Sequence, residues 1–176
     1  MTNDKSTAVR LQMQRRDLIF RSIRSYFYEE GFREVDPPVL VQGTGCEPHI
    51  DPLEVSVALG PESAAVPRYL HTSPELYLKR LLARVPEPVF FLGLVFRNGE
   101  RTPKHLPEFT LLEWYRPDCS LKGLVNDCER LIQCVLDACH RHRLQPCPRG
   151  KHLLAQTPFE VVTLQTLWER YAKIDL

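Results

Sequence analysis

The stretch VFRNGERTPKHLPEFTLLEWYR (residues 95–116) decides the fold. It predicts a strand that ends at Arg97, a polar loop with one glycine and two prolines, and a second strand that carries Phe109 and Glu113. Side chains alternate along a strand, so one face should hold Phe109, Leu111, Glu113 and Tyr115, and the other Thr110, Leu112, Trp114 and Arg116. The pattern therefore predicts a hairpin with an aromatic ring and a carboxylate on one side.

The hairpin carries parts that suit a nucleotide site. Arginine binds phosphate oxygens bidentately, and a ring such as Phe109 can stack on a base, which is worth about 1–3 kcal/mol. Each part also has a plainer interpretation: an arginine at a strand end is more often a surface ion pair, and a strand phenylalanine is more often core. His105, between Pro103 and Pro107, is by itself a solvated loop residue. Their proximity favours the nucleotide interpretation.

Two glutamates are candidates for holding an ammonium group. Glu113 lies among apolar strand residues, and a buried carboxylate needs several donors or a cation, either a basic ligand or an internal lysine or arginine. Glu75 ends the sequence Thr72-Ser73-Pro74-Glu75, which fits a capping box. It is therefore either a helix cap, worth about 1 kcal/mol, or a second ligand anchor, and its spacing alone favours the cap.

The remaining patterns predict an α+β domain with an antiparallel sheet flanked by helices. Gly31 should end the first helix, and Pro37 and Pro38 should keep the next strand short or at an edge. The predicted helices cover residues 8–30, 72–84, 121–143 and 163–171, and the strands outside the hairpin cover 32–41, 53–59 and 68–71. Residues 144–158 are predicted to be irregular.

Composition restricts the function classes. The chain has 176 residues, 43% of them hydrophobic, and a formal net charge of +1, which gives no general reason to expect nucleic-acid binding. No run resembles a signal peptide or is long enough to span a bilayer, so we expect a cytoplasmic protein. The P-loop and dinucleotide-binding glycine motifs are absent.

The six cysteines include no CxxC pair, so zinc-ribbon spacing is absent. Four of them lie in or near the third predicted helix, where small buried apolar residues are the plain interpretation. The alternative is a metal cluster of Cys139, His140, His142 and Cys147, although nothing in the spacing fixes a ligand geometry. We assign no metal ligand.

Three segments resemble the catalytic core of class II aminoacyl-tRNA synthetases, specifically the lysine branch. GFREVDPPVL (31–40) resembles motif 1, with Pro38 at the dimer interface, and FRNGERTPKHLPEFTLLE (96–113) resembles motif 2. HTSPELYLKRLL (71–82) is similar to the helix whose glutamate, Glu75 here, binds the amino acid.

The resemblance assigns a role to each candidate residue. It implies that Arg97 contacts the ATP α-phosphate, that His105 lies near the outer phosphates and that Phe109 stacks on adenine. It also implies that Glu113, with Ser73 and Glu75, binds the substrate amino acid. Asn98 and Glu100 would complete this part of the ATP site.

EWYRP (113–117) is similar to the elongation factor P–(R)-β-lysine ligases. The resemblance implies ATP-dependent activation of lysine or (R)-β-lysine as an acyl-adenylate and its transfer to a lysine side chain of elongation factor P. A homodimer through motif 1 is implied, and tRNA binding is not expected. About thirty residues precede Gly31, too few for an anticodon-binding OB barrel.

The sequence departs from the family pattern at three places. Gly99 stands where the motif often has glutamate, with Glu100 following, and Leu106 replaces the commoner asparagine. The chain ends at Leu176 before motif 3 and the acids that bind Mg²⁺, so residues 1–176 correspond to the N-terminal part of the core. The alternatives are a fragment of a lysyl-tRNA synthetase that charges tRNA(Lys), or a non-catalytic protein for nucleotide binding or dimerisation.

Overall fold

The computed structural model describes residues 2–45, 47–58, 60–99, 102–144 and 158–174. Its helices are α1 (Thr2–Glu29), α2 (Glu75–Leu82), α3 (Leu121–Arg141) and α4 (Leu164–Leu167), which continues as a π-helical segment over Trp168–Ala172. The strands are β1 (Arg33–Glu34), β2 (Leu40–Val41), β3 (Leu53–Ala58), β4 (Ala65–Leu70), β5 (Val89–Phe96) and β6 (Glu108–Tyr115). The chain forms two compact units, one of Ser25–Cys119 and one of Met1–Arg24 with Ser120–Leu176.

The unit Ser25–Cys119 holds two three-stranded sheets, ordered β1-β5-β6 and β2-β4-β3. The predicted hairpin is confirmed: β5 and β6 pair antiparallel from Val89 opposite Tyr115 to Phe96 opposite Glu108. The predicted antiparallel pairing holds for β2 with β4, β3 with β4 and β5 with β6, whereas β1 runs parallel to β5. The long connection between β1 and β5, which includes β2, β3, β4 and α2, lets the chain return in the same direction.

Strand β5 is the centre of the core, because it is apolar along its length and its first four residues, 89–92, are buried on both faces. On one face Phe90, which is fully buried, stacks on Phe27 with ring centroids 4.7 Å apart. On the other face Phe91 and Val95 form a cluster with Leu78 of α2. A strand covered on both faces has a nearly continuous hydrophobic sequence, as β5 does.

Helix α1 ends at a left-handed glycine, as predicted. Gly31 has φ +80°, its N–H donates to Tyr28 O at 3.1 Å, and the Phe32 N–H donates to Phe27 O at 2.9 Å. These are the two bonds of a Schellman motif, and the Phe27 and Phe32 rings pack edge-to-face beside them. The helix begins at Thr2, earlier than the predicted residue 8. The sequence pattern does not indicate this first part, because residues 5–10 are all exposed and no apolar periodicity marks them.

The prolines act as predicted. Pro37 and Pro38 separate β1 from β2, which are two-residue strands at the edges of different sheets. Strand β3 is confirmed over Leu53–Ala58, while Leu59 lies outside the described residues. Strand β4 starts three residues earlier than predicted and contains Pro67, because β2 pairs only with Tyr69 and Leu70 and the earlier part of β4 pairs with β3 alone.

In the helical unit, α3 starts at the Ser120 cap, whose Oγ accepts from Gly123 N at 3.2 Å. It ends at Arg141, two residues before the predicted end, because Arg143 adopts a left-handed φ of 54°. The final helix starts after the Thr163 cap, as predicted. Most of the segment predicted to be irregular lies outside the described residues.

The buried-cysteine interpretation holds fully for Cys139, while Cys119, Cys128 and Cys134 are half-buried. Burial raises the pKa of the Cys128 and Cys139 thiols, which lowers their reactivity. Cys147 lies outside the described residues, and within the described ranges no group of three or more His, Cys, Asp or Glu is placed to hold a metal ion. None of the helices in the described part of the chain has the length and hydropathy to cross a membrane.

Candidate functional site

The site is built around the carboxylate of Glu113, in the middle of β6. Ser73 Oγ donates to Glu113 Oε1 at 2.6 Å, and the Tyr115 hydroxyl donates to Oε2 at 2.9 Å. Glu113 is half-buried, where a carboxylate needs donors to offset lost hydration. Both donors are neutral, so they solvate the negative charge of Glu113 without neutralising it.

Glu75, the first residue of α2, adjoins this arrangement through Ser73. Its backbone N–H donates to Ser73 Oγ at 3.0 Å, so one hydroxyl joins the start of α2 to Glu113. Its carboxylate forms an ion pair with Lys79, one helical turn further on. The capping-box interpretation of Glu75 is therefore wrong: its side chain turns along the helix to Lys79, and the side-chain hydrogen bond at the start of α2 comes from Ser73.

Tyr115 is a site residue to which the sequence analysis gave no role. Burial raises the pKa of its phenol, and the hydrogen bond to Glu113 raises it further, so Tyr115 stays a donor. The signal was present in the sequence, because Tyr115 lies two residues from Glu113 on the same face of a strand. Contacts agree with this face: Phe109, Leu111 and Tyr115 all pack against the same buried cluster.

Arg97 and Phe109 lie together at the loop end of the hairpin. The guanidinium carbon of Arg97 is 5.1 Å from the centroid of the Phe109 ring, within the range of a cation–π interaction. Arg97 Nε donates to Thr72 O at 3.4 Å, and its backbone N–H donates to Pro107 O at 2.9 Å. Phe109 is half-buried, so the core supports the ring without enclosing it.

The loop residues are exposed. The Asn98 N–H donates to Asp51 O at 2.7 Å, and the Asn98 side chain accepts from Gly99 N at 3.0 Å. His105 lies in a turn, where its Nδ1 is 2.8 Å from Thr102 Oγ1. Leu106 is 68% exposed. Glu100 lies outside the described residues.

The segment before α2 is fixed by His71, a second residue that the sequence analysis missed. His71 is buried, its Nε2 donates to Leu94 O at 2.8 Å, and its carbonyl accepts from Phe96 N at 3.0 Å. These bonds attach the start of residues 71–75 to β5, beside Arg97. No periodicity in the sequence indicates a contact between His71 and Leu94, which are 23 residues apart.

Pro38 is exposed and precedes two further exposed apolar residues, Val39 at 40% and Leu40 at 43%. These exposed apolar residues lie in the segment that the sequence predicts to contact a second copy of the chain.

The donor set suits one half of a nucleotide site with an amino acid site beside it. A guanidinium next to a half-exposed ring offers a phosphate contact and a stacking surface, and the Glu113 carboxylate lies further along the same strand face. Glu75 lies at the start of α2, joined to Glu113 through Ser73. For Mg²⁺ the described residues supply no comparable ligand set, so we assign it no residue of this chain.

These features define a class of protein. The chain belongs to the class II tRNA synthetases, since the family described as "tRNA synthetases class II (D, K and N)" matches residues 2–175. Within that class it is similar to proteins named elongation factor P–(R)-β-lysine ligase, which confirms the resemblance found in the sequence.

Three relatives show the extent of this similarity. The ligase of Erwinia tasmaniensis is 35% identical over 162 residues, covering 92% of this chain and 44% of that protein. The Salmonella gallinarum ligase is 38% identical over 162 residues, which cover 92% of this chain and 50% of that protein. The Yersinia pestis ligase is 41% identical over 124 residues, which cover 70% of this chain and 38% of that protein. The chain therefore spans half or less of the length of these relatives.

Proposed function

We propose that this chain is the N-terminal part of the catalytic core, with motifs 1 and 2, of an ATP-dependent ligase. The ligase activates lysine or (R)-β-lysine as an acyl-adenylate and transfers it to a lysine side chain of elongation factor P. The single observation that carries the proposal is the Glu113 carboxylate, held by Ser73 and Tyr115, on the same strand face as Phe109. The names of the relatives support the acceptor and the amino acid.

On the amino acid side, Glu113 is the principal anion for a ligand ammonium group. Its described donors are neutral hydroxyls, so its negative charge remains available to a cation. A neutral side chain in place of the ammonium would leave the half-buried carboxylate without that cation, which discriminates against apolar amino acids. Glu75 contributes a second carboxylate, and Ser73 links the two.

On the nucleotide side, Arg97 would bind the α-phosphate of ATP and Phe109 would support adenine. The guanidinium now lies against the ring, so a base that stacks on that face requires the guanidinium to move toward the phosphate. Asn98, Glu100 and His105 are the further ATP-binding residues that we propose from the loop. Mg²⁺, when bound, would supply charge neutralisation at the phosphates.

The reaction that we propose is attack of the amino acid carboxylate on the α-phosphorus with release of pyrophosphate, followed by attack of the acceptor amine on the activated carbonyl. The protein acts mainly by positioning and by charge stabilisation. Arg97 would stabilise negative charge on the α-phosphate, and Glu75 and Glu113 would fix the amino acid by its ammonium groups. A homodimer through Pro38 and the apolar residues after it is part of the proposal.

The test is ATP–pyrophosphate exchange by the full-length protein in the presence of lysine or (R)-β-lysine. Arg97→Ala should abolish exchange, because no other described residue places a guanidinium at the ring of Phe109. Arg97→Lys should restore little, because an ammonium lacks the bidentate fork. Arg84→Ala is the matched control: Arg84 is an exposed arginine in the same unit that lies outside the three motif segments. Near-normal exchange by Arg97→Ala would refute the assignment.

A lysyl-tRNA synthetase is the second candidate, because the matching family includes the synthetases for aspartate, lysine and asparagine. The two candidates share the activation step and differ in the acceptor. Charging of tRNA(Lys) by the full-length protein, without modification of elongation factor P, would decide for the synthetase.

A further inference from the structure

We propose that Lys79 is an internal competitor for the ligand ammonium group at Glu75, and that it thereby sets the affinity of the site for diamino acids. The inference rests on the proposed amino acid site and deepens it. It assigns a role in specificity to a residue that does not itself bind ATP or the amino acid.

The geometry places one cation on one of the two carboxylates. Lys79 follows Glu75 by four residues on α2, the spacing at which helical side chains meet, and its Nζ forms an ion pair with Glu75 Oε1. Glu113 is held by hydroxyls instead. A second ammonium group that reaches Glu75 must therefore share or displace the ammonium of Lys79.

The pair is accessible to exchange. The side chain of Lys79 is 59% exposed and that of Glu75 is 43% exposed. Exposed ion pairs four residues apart on a helix are weak, so water or a ligand can replace either partner. A buried pair would instead be a fixed part of the fold.

The influence of Lys79 extends beyond Glu75. The hydrogen bond and charge of Glu75 raise the pKa of Lys79, and the charge of Glu113 raises it further. Coupling between charges is reciprocal, so a lysine that both carboxylates stabilise reduces the attraction that both exert on another cation. Lys79 thus remains protonated and weakens the site for cationic ligands.

This reasoning predicts the sign of a substitution. Lys79→Met should tighten binding of L-lysine by about twofold to fivefold at low ionic strength, and the gain should shrink in higher salt. Binding of norleucine, which lacks the side-chain ammonium, should change less. If Lys79 instead served to hold Glu75 in place, the same substitution would weaken L-lysine binding.

The experiment is calorimetric titration of the full-length protein with L-lysine and with norleucine. Arg80→Met is the matched control: it removes one positive charge from the last turn of the same helix, and Arg80 is exposed like Lys79. Glu75→Gln and the double variant with Lys79→Met complete a cycle. Thermal melts of each variant verify folding.

The expected result is tighter L-lysine binding by Lys79→Met than by Arg80→Met, with a smaller gain from Lys79→Met in the Glu75→Gln background, where only the coupling to Glu113 remains. Equal or weaker binding by Lys79→Met relative to Arg80→Met, with the wild type binding L-lysine, would overturn the Lys79 inference alone. Absence of L-lysine binding by the wild type and by all variants would instead refute the amino acid site, and the inference with it.

Discussion

Replacing Glu113 with glutamine removes one negative charge from the site and keeps the shape of the side chain. The hydroxyls of Ser73 and Tyr115 lie 2.6 and 2.9 Å from the two carboxylate oxygens, so the single amide oxygen of glutamine can accept from one of them and its NH2 group can donate to the oxygen of the other. The fold should therefore be little affected, with a change in the free energy of unfolding within about 1 kcal/mol. Binding of a cationic ligand should suffer far more.

The size of the binding loss follows from the position of Glu113. Two unit charges about 4 Å apart interact by about 4 kcal/mol at the effective dielectric constant of sites near a protein surface. Desolvation of the ammonium offsets part of this, which leaves about 2–3 kcal/mol. Since each factor of ten in affinity corresponds to about 1.4 kcal/mol, Glu113→Gln should weaken L-lysine binding by roughly 30- to 150-fold.

Glu75→Gln should weaken binding less, because the carboxylate of Glu75 already pairs with Lys79. Calorimetric titration with L-lysine measures both variants. The matched control is Glu108→Gln, since Glu108 is an exposed glutamate on the opposite face of the same strand. Binding by Glu113→Gln within threefold of the wild type, or a larger loss in Glu75→Gln, would refute the assignment of Glu113 as the principal anion.

Three further predictions concern the scaffold. Gly93→Ala should lower the free energy of unfolding by about 1–3 kcal/mol, because an added Cβ would lie 2.7 Å from ring carbons of the buried Phe91. Gly43→Ala, where the added Cβ meets nothing within 4 Å, is its control in chemical denaturation, and equal losses would contradict the packing argument. Gly31→Ala should lower stability by about 1–2 kcal/mol in the same assay, since φ there is +80°. The pKa of the Tyr115 phenol is raised in the fold, so the stability that this phenol contributes is present below about pH 10 and is lost at higher pH. Tyr115→Phe should therefore lose stability less steeply than the wild type above about pH 10, by at most about 1 kcal/mol per pH unit because solvent screens a half-buried group. If the stabilities of the wild type and Tyr115→Phe fell in parallel as pH rises, the result would contradict this role of the Tyr115 phenol.

The hairpin and its two faces could be predicted from the sequence because a period of two is a local property. Phe109 and Tyr115 pack on the predicted face, and Gly31 ends the first helix as predicted. The Glu75–Lys79 pair was also within reach, since a spacing of four residues on a helix is a local signal. The capping-box pattern competed with it, and the lysine won because an ammonium is a stronger partner for a carboxylate than a backbone N–H.

The contacts that assemble the site could not be predicted in this way. Ser73 meets Glu113 across 40 residues, and His71 meets Leu94 across 23. The parallel pairing of β1 with β5 also depends on a long connection. No spacing rule connects such positions, so only the motif resemblance brought Ser73 and Glu113 into one site before the structure did.

The register of the hairpin determines both the packing of the aromatic core and the position of the Glu113 carboxylate. Glu113 lies opposite Phe91, and Trp114 lies opposite Phe90. The stack of Phe27 on Phe90 and the contact of Phe27 with Trp114, 5.6 Å between centroids, fix which residues face the last turn of α1. A slip of one residue would turn Glu113 onto that aromatic face, away from Ser73, and place a carboxylate among rings. The aromatic core thus excludes the wrong register and holds the carboxylate beside its hydroxyl donors.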